Sequence, residues 1–511
     1  MNIEEKVGRL MMIGIPGTTV DKETVQLVRD CYVGGVIYFQ RNVESPAQVK
    51  ELSERLQQVN RGSSPLLIAI DQEGGMVARI RDGVTQIPGQ MAIGATGDPA
   101  AARTLAQISG KELAALGINV NFAPCADVNS NPANPVIGVR SFGSVPSTVA
   151  SFVREAVAGF QESGVSATIK HFPGHGDTSV DSHLALPKLD HDLDRLKEVE
   201  LAPFRAAASE ADLVMSAHIK FNALDPDYPA TLSKPIISRL LRDEIGFEGV
   251  AITDCMEMDA ISKTYGTADA AVKAIQAGID IVLVSHTTSL QRETHRKLVA
   301  AVKNGHLSLA RVEEALGRIE RLKAKHGTGK RNENRIEILV EKHRETVDGI
   351  RKRTISSLTD TWTPLSADEK VHVVFCRPHR QSYADEQTDE SNLIAEQLRA
   401  RGFDVSSTSV ESNPSKEEVV HVLSQIDGGS TVVFCSYLPG NNENQRLLAK
   451  ELSKHYSDMV GVSLRSPYDA EELPFIRRYI TGFESTKGAM TALCEVLSGK
   501  EEPTGRVPIT Q

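Results

Sequence analysis

The sequence predicts an α/β protein: a (β/α)8 TIM-like barrel followed by a smaller α/β domain with a mainly parallel sheet. Three observations carry this. Eight β-rich apolar runs alternate with helix-like stretches through the first part of the chain, the pattern of a parallel sheet and, by its count, of a closed barrel. The runs are continuously apolar, as strands buried on both faces must be. Polar residues gather where the runs end, at Asp71, Asp127, Lys170, His171, His218, Asp254, Ser285 and His286. In a barrel all those ends open onto one face, where such folds build their sites.

Taken in order, the expected strands are 7–15, 34–39, 66–71, 120–128, 165–172, 213–219, 250–255 and 281–285, with helical patterns such as 147–163, 196–210 and 267–278 between them. Leu309, Val312, Leu316, Ile319 and Leu322 carry helical spacing, and Ser308 is a suitable N-cap. That helix closes a first domain over 1–330, the catalytic barrel. The polar, glycine-containing segment 327–334 reads as a linker. A long helical stretch over 336–357 then opens the second domain, 331–511, with strand-like runs at 371–376, 431–436 and 459–463. That domain holds no G-x-G-x-x-G or P-loop to support a nucleotide role.

The chain has 511 residues, 40% hydrophobic and 24% charged, close to globular averages and unlike disordered or fibrous proteins. A formal net charge of −10 argues against nucleic acid or an anionic membrane as the main partner. No apolar run approaches the length of a bilayer span, and the N-terminal residues lack the pattern of a signal peptide. The expected location is therefore cytoplasmic, with a trimmed secreted form as the alternative. The six scattered cysteines form no C-x-x-C pair and read as reduced, packed thiols.

The most informative stretch is KHFPGHGDTSVDSHLALP, residues 170–187. An apolar strand runs into it, and Pro173, Gly174 and Gly176 break it into a polar loop. Asp181 and His183, one residue apart, can form a carboxylate–imidazole pair in which the carboxylate orients the ring. The same loop can also be read as a metal site from His171, His175, Asp177, Asp181 and His183, but it lacks a spaced ligand motif, and no metal or organic cofactor is expected. Asp254 ends a strand, where a carboxylate is a nucleophile, a ligand or the N-cap of the next helix. Asp71 precedes Gly74–Gly75, glycines that would let the backbone approach a ligand closely. Arg79 and Arg140 can bind a substrate oxygen or remain surface cations.

Together these motifs resemble glycoside hydrolase family 3, in its β-N-acetylglucosaminidase branch. They are IDQEGGMVAR (70–79), VNFAPCADVN (120–129), NPVIGVRSFG (134–143), the 170–187 segment, VMSAHI (214–219) and EIGFEGVAITDCMEMDAI (244–261). The second domain is similar, more loosely, to the extra domain of two-domain members of Gram-positive type. The resemblance implies Asp254 as nucleophile and His183, oriented by Asp181, as acid/base. Asp71, Arg140, Lys170 and His171 fall on positions that hold the sugar, and Arg79 on one near it. One departure is the Cys255–Met256 pair after the nucleophile position, which alters the wall beside it.

What the resemblance implies is a retaining exo-β-N-acetylglucosaminidase acting on carbohydrate substrates, N-acetylglucosaminides and muropeptides of peptidoglycan. A phosphorylase using the same site and a non-catalytic muropeptide-binding module are the rivals. Nucleic acid and membrane are not expected as partners, and the sequence leaves the oligomeric state open. Asp181 and His183, beyond the glycine-broken turn, are expected on a mobile loop that brings His183 to the scissile bond on closing. His175 is expected to shape that loop.

Overall fold

The computed structural model describes residues 1–62, 64–326, 335–386 and 391–510. Eight parallel strands close the barrel: β1 (Met11–Gly14), β2 (Gly35–Tyr38), β3 (Leu67–Ile70), β4 (Val120–Asn121), β5 (Ser166–Phe172), β6 (Leu213–Ser216), β7 (Val250–Cys255) and β8 (Ile281–Val284). Each pairs with its sequence neighbours, and β8 returns to β1. The barrel core is aliphatic, with Ile13, Val36, Ile68, Val120, Ile169, Val214, Ile252 and Val282 all at most 1% exposed. Removing such side chains from water supplies the main drive for closure.

Several boundaries shift for local reasons. Residues 7 and 8 belong to a helix, Ile3–Gly8, because Asn2 and Glu5 form a capping box at its start; β1 begins only at Met11. The expected strand 120–128 narrows to Val120–Asn121. Beyond it Pro124 has no N–H to pair, though Ala126 still donates to the Lys170 carbonyl at 2.6 Å. The stretch 196–210 divides into Leu193–Glu198 and Ala202–Ala207, with Pro203 in the first turn of the second helix. Ser308 does cap Leu309–His326, accepting from the Arg311 N–H at 3.2 Å.

The expected linker 327–334 and the domain boundary within it lie outside the described residues. Helix Ile336–Lys352 is followed by a strand rather than continuing to 357. The second domain is a six-stranded sheet of β9 (Ser356–Ser357), β10 (Lys370–Cys376), β11 (Asp404–Val410), β12 (Thr431–Ser436), β13 (Met459–Ser463) and β14 (Arg478–Thr481). Its order is β9-β14-β13-β12-β10-β11, parallel except for β9 against β14. The strands β11 and β14 were not expected. The first is a Ser/Thr-rich edge strand with no apolar run, the second a four-residue strand opening on Arg478.

The two domains meet beside the C-terminal ends of the barrel strands. Glu484 accepts from the Gly89 N–H at 2.6 Å and from Arg351 at 3.1 Å, with both side chains of that ion pair buried. The chain then returns to the barrel, where Val507 and Ile509 pack on Met91, Ala92, Ala95 and Val139. All six cysteines are free and buried. Among the described residues no helix is long and apolar enough to cross a membrane.

Candidate active site

A cavity of about 320 Å³ opens at the C-terminal ends of the barrel strands. Asp71, Arg79, Arg140, Lys170, His171, His183 and Asp254, drawn from across the barrel sequence, all line it. Asp181 stands directly behind His183, accepting from its Nδ1 at 2.7 Å and from its backbone N–H at 2.9 Å. The sequence-derived set thus converges on one place.

On the strand-end side the groups are locked by charge. The Lys170 ammonium lies 2.7 Å from both Asp71 and Glu73. Arg140 grips Glu73 with two hydrogen bonds, 2.7 and 3.0 Å, in the fork geometry that suits a carboxylate. Burial opposes the charge on Lys170, but Asp71 and Glu73 outweigh it and raise its pKa. Burial likewise acts against the Glu73 carboxylate, and Arg140 and Lys170 overcome it to hold Glu73 ionised. Arg79 joins this network through Asp71 at 3.4 Å and also pairs with Glu386 of the second domain.

His171 is oriented from the opposite side. Its Nδ1 donates to Asp127 at 2.7 Å, and the same carboxylate accepts from the His171 and His175 backbone N–H groups. Cys125, Asp127 and His171 bring their donor atoms within 4.8 Å of one another, but those atoms are engaged among themselves, with Cys125 Sγ also donating to Asp127 at 3.0 Å. The other residues of the metal reading are held in separate partnerships: His175 with Thr178 and Ser182, Asp177 with His191, Asp181 with His183. They do not form a coordination sphere.

Asp254 ends β7. The helix that follows, Asp259–Tyr265, begins four residues later on Met258, so Asp254 does not cap it. Its carboxylate instead accepts from the Cys255 N–H at 2.7 Å. Burial would raise its pKa, but His218, His171, His183 and that N–H prevail and hold it down at about 2. The His218 imidazole, whose own pKa burial lowers, donates from Nε2 to the Cys255 carbonyl at 2.9 Å. Asp254 is therefore an ionised, half-buried carboxylate with open space before it. Burial pushes the neighbouring Cys255 thiol up to about 12, so it stands in the cavity wall as a protonated thiol rather than a reactive thiolate.

The loop from Pro173 to Pro187 folds back over the cavity. His175, 2% exposed, ties it together through Thr178 Oγ1 at 2.7 Å and Ser182 Oγ at 3.1 Å. Gly176 is required here, since a Cβ would sit 1.6 Å from the Val128 carbonyl oxygen. In this arrangement His183 lines the same cavity as Asp254. Gly74 and Gly75 serve a different purpose from the one expected. Both take positive φ in the turn of a small hairpin, and a Cβ on either would strike Pro88, Gly89 or Glu484. They serve packing between loops rather than close approach to a ligand.

Three contributors escaped the sequence reading. Glu73, next to Asp71 in the same motif, carries the Lys170–Arg140 network. Asp127 was seen only as a polar strand end, yet it orients His171. The third is a loop of the second domain, which brings Arg380, Tyr383, Ala384 and Glu386 to the cavity wall; no local pattern announces it.

Residues 2–322 match the model of the glycosyl hydrolase family 3 N-terminal domain. The chain belongs to glycosyl hydrolase family 3. It is a glycoside hydrolase whose barrel carries the family match. Among its relatives in the family is beta-hexosaminidase A of Pseudoalteromonas piscicida, 42% identical over 335 residues, an alignment covering 60% of this chain but only 56% of that enzyme. A beta-hexosaminidase of Alkalilimnicola ehrlichii is 40% identical over 54% of this chain and 80% of its own. Both domains are shared with a family 3 beta-N-acetylglucosaminidase from Paenibacillus sp. str. FPU-7. That structure superposes with a TM-score of 0.93 at 41% identity, covering 100% of this chain and 99% of the other.

Proposed function

We propose that the protein is a retaining exo-β-N-acetylglucosaminidase that releases terminal N-acetylglucosamine from peptidoglycan fragments. The observation that carries the mechanism is the pairing of an ionised, half-buried Asp254 with a histidine on the same cavity whose Nδ1 is committed to Asp181. Asp254 attacks the anomeric carbon as the glycosidic C–O bond breaks, and the His183 Nε2 proton passes to the departing oxygen. Water then attacks the glycosyl-enzyme, gives its proton to His183 and frees the Asp254 carboxylate. Two displacements on one carbon retain the β configuration.

Most retaining glycosidases use a second carboxyl group about 5–5.5 Å from the first. An imidazole replaces it here, a group that can give a proton to the departing oxygen in the first half of the cycle and take one from water in the second. Asp71, Lys170, Arg140, His171 and Arg79 bind the hydroxyls of the terminal sugar, either directly or by fixing those that do. The muropeptide substrate class rests on the family branch, and the N-acetylglucosaminyl preference on the relatives' activities.

The test is hydrolysis of N-acetylglucosaminyl against glucosyl aryl substrates, in buffers with and without phosphate. Rapid release of β-N-acetylglucosamine from the first substrate alone, unaffected by phosphate, is expected. N-Acetylglucosamine 1-phosphate as the main product would establish the phosphorylase instead, and no turnover of either substrate would leave a binding module.

A further inference from the structure

His183 is fixed at one edge only. Its bond to Asp181 sets the tautomer and pins Nδ1, yet a single hydrogen bond leaves the ring free to turn about the N–O axis. The surface that removes this freedom comes from the other domain. The Tyr383 ring stacks on the imidazole with centroids 5.5 Å apart and planes inclined by 27°.

Tyr383 is held out on a fastened loop. Residues 377–386 leave the C-terminal end of β10, next to the point where the strand order of the parallel sheet reverses, between β10 and β12, the place where open α/β sheets present functional loops. Asp385, fully buried, pairs with the buried Arg465 at 3.0 Å and accepts from the Gln381 and Ser382 backbone N–H groups. On the barrel side Arg79 Nη1 donates to the Ala384 carbonyl at 3.0 Å and pairs with Glu386, while the Glu386 N–H donates to the Met76 carbonyl at 3.1 Å. Ala384, Asp385 and Glu386 are all buried, yet the adjacent Tyr383 is 59% exposed at the cavity mouth. A large ring kept in water on an anchored loop, against the His183 imidazole at the cavity wall, is not explained by burial.

We propose that Tyr383 is a positioning residue for His183: the second domain sets the plane of the barrel's acid/base group. The inference rests on the acid/base reading of His183 given above. A proton donor acts only when its N–H points at the departing oxygen, and a misplacement of about 1 Å can cost about a hundredfold in rate. Arg79 links the two domains at this point, so closure of the sugar site and alignment of the acid depend on the same docked loop.

The experiment uses the full chain and aryl N-acetylglucosaminides whose leaving phenols run from nitrophenol to phenol. kcat/KM reports the bond-breaking step, and only poor leaving groups need a well-placed acid. For Tyr383→Ala, the ratio of kcat/KM for the nitrophenyl over the phenyl substrate is expected to rise about tenfold, a fraction of the general-acid effect. Tyr383→Phe, which keeps the ring, should restore the wild-type ratio. His183→Ala separates the two levels. If its ratio does not rise, the acid role of His183 fails; if it rises while that of Tyr383→Ala does not, the positioning role alone is overturned. An equal fall for every substrate, or a Phe variant behaving like the Ala variant, would also overturn it. The exposure of Tyr383 makes misfolding avoidable, and an unchanged thermal midpoint checks this.

Discussion

Lys170 and His183 lie in the same cavity under opposite regimes. The Lys170 side chain is 2% exposed, sits on a barrel strand and touches two carboxylates, whereas the His183 side chain is 28% exposed, sits on a loop and leans on one carboxylate and one tyrosine ring. Around Lys170 the strand ends supply charges that are held in place, because each pairs with another. In the proposed mechanism the loop supplies the group that gains and loses a proton in every turnover. On that proposal, one barrel face holds the sugar rigidly and still admits a proton carrier from outside the strand scaffold.

Two substitutions sharpen that contrast. His183→Ala should lower kcat/KM for substrates with poor leaving groups by about 10²- to 10⁴-fold, the usual range for a lost general acid. It should shift stability by no more than about 0.5 kcal/mol, as for other partly exposed sites. Lys170→Met should weigh mainly on stability: it removes one cationic partner from the buried Glu73 and the half-buried Asp71, costing about 3–5 kcal/mol in folding stability. Denaturant unfolding with parallel aryl-glycoside kinetics measures both. Equal stability losses in the two variants would erase the distinction between strand end and loop.

A smaller effect tests the hinge between these regions. Burial and the nearby His171 depress His175 from an ordinary 6.5 to about 4. Between those values the unfolded chain binds more protons than the folded one. The stability from a neutral His175 is therefore complete above pH 6.5 and is lost as the pH falls towards 4, by up to about 3 kcal/mol. The stability gap between wild type and His175→Gln should narrow over that interval; a gap independent of pH would contradict the buried, neutral ring.

Much of the strand-end region was legible in the sequence. Parallel barrel strands are buried on both faces, so each reads as an apolar run, and the polar residue ending it marks the open face. That reasoning reached Asp71, Lys170, His171 and Asp254 without knowledge of contacts. It passed over Glu73 because a buried glutamate looks like any other until Lys170 and Arg140 are seen around it. Asp127 and His171 are 44 residues apart, and only the adjacency of β4 and β5 joins them. The loop side was half legible. The Asp181–His183 spacing is local and can be read directly. Tyr383 lies 200 residues further on, and its place against His183 depends on how two domains dock, which no periodicity encodes. The edge strand β11 was missed for a related reason: only Val410 of its seven residues is buried, so it offers no apolar run.

The most direct test is to trap the enzyme with a slow fluorinated N-acetylglucosaminide and map the modified peptide by mass spectrometry. The proposed mechanism requires one covalent sugar per chain, attached to Asp254 in the ITDCMEM segment, together with retained β configuration in the normal product. Label on another residue, or an inverted product with no adduct, would contradict it.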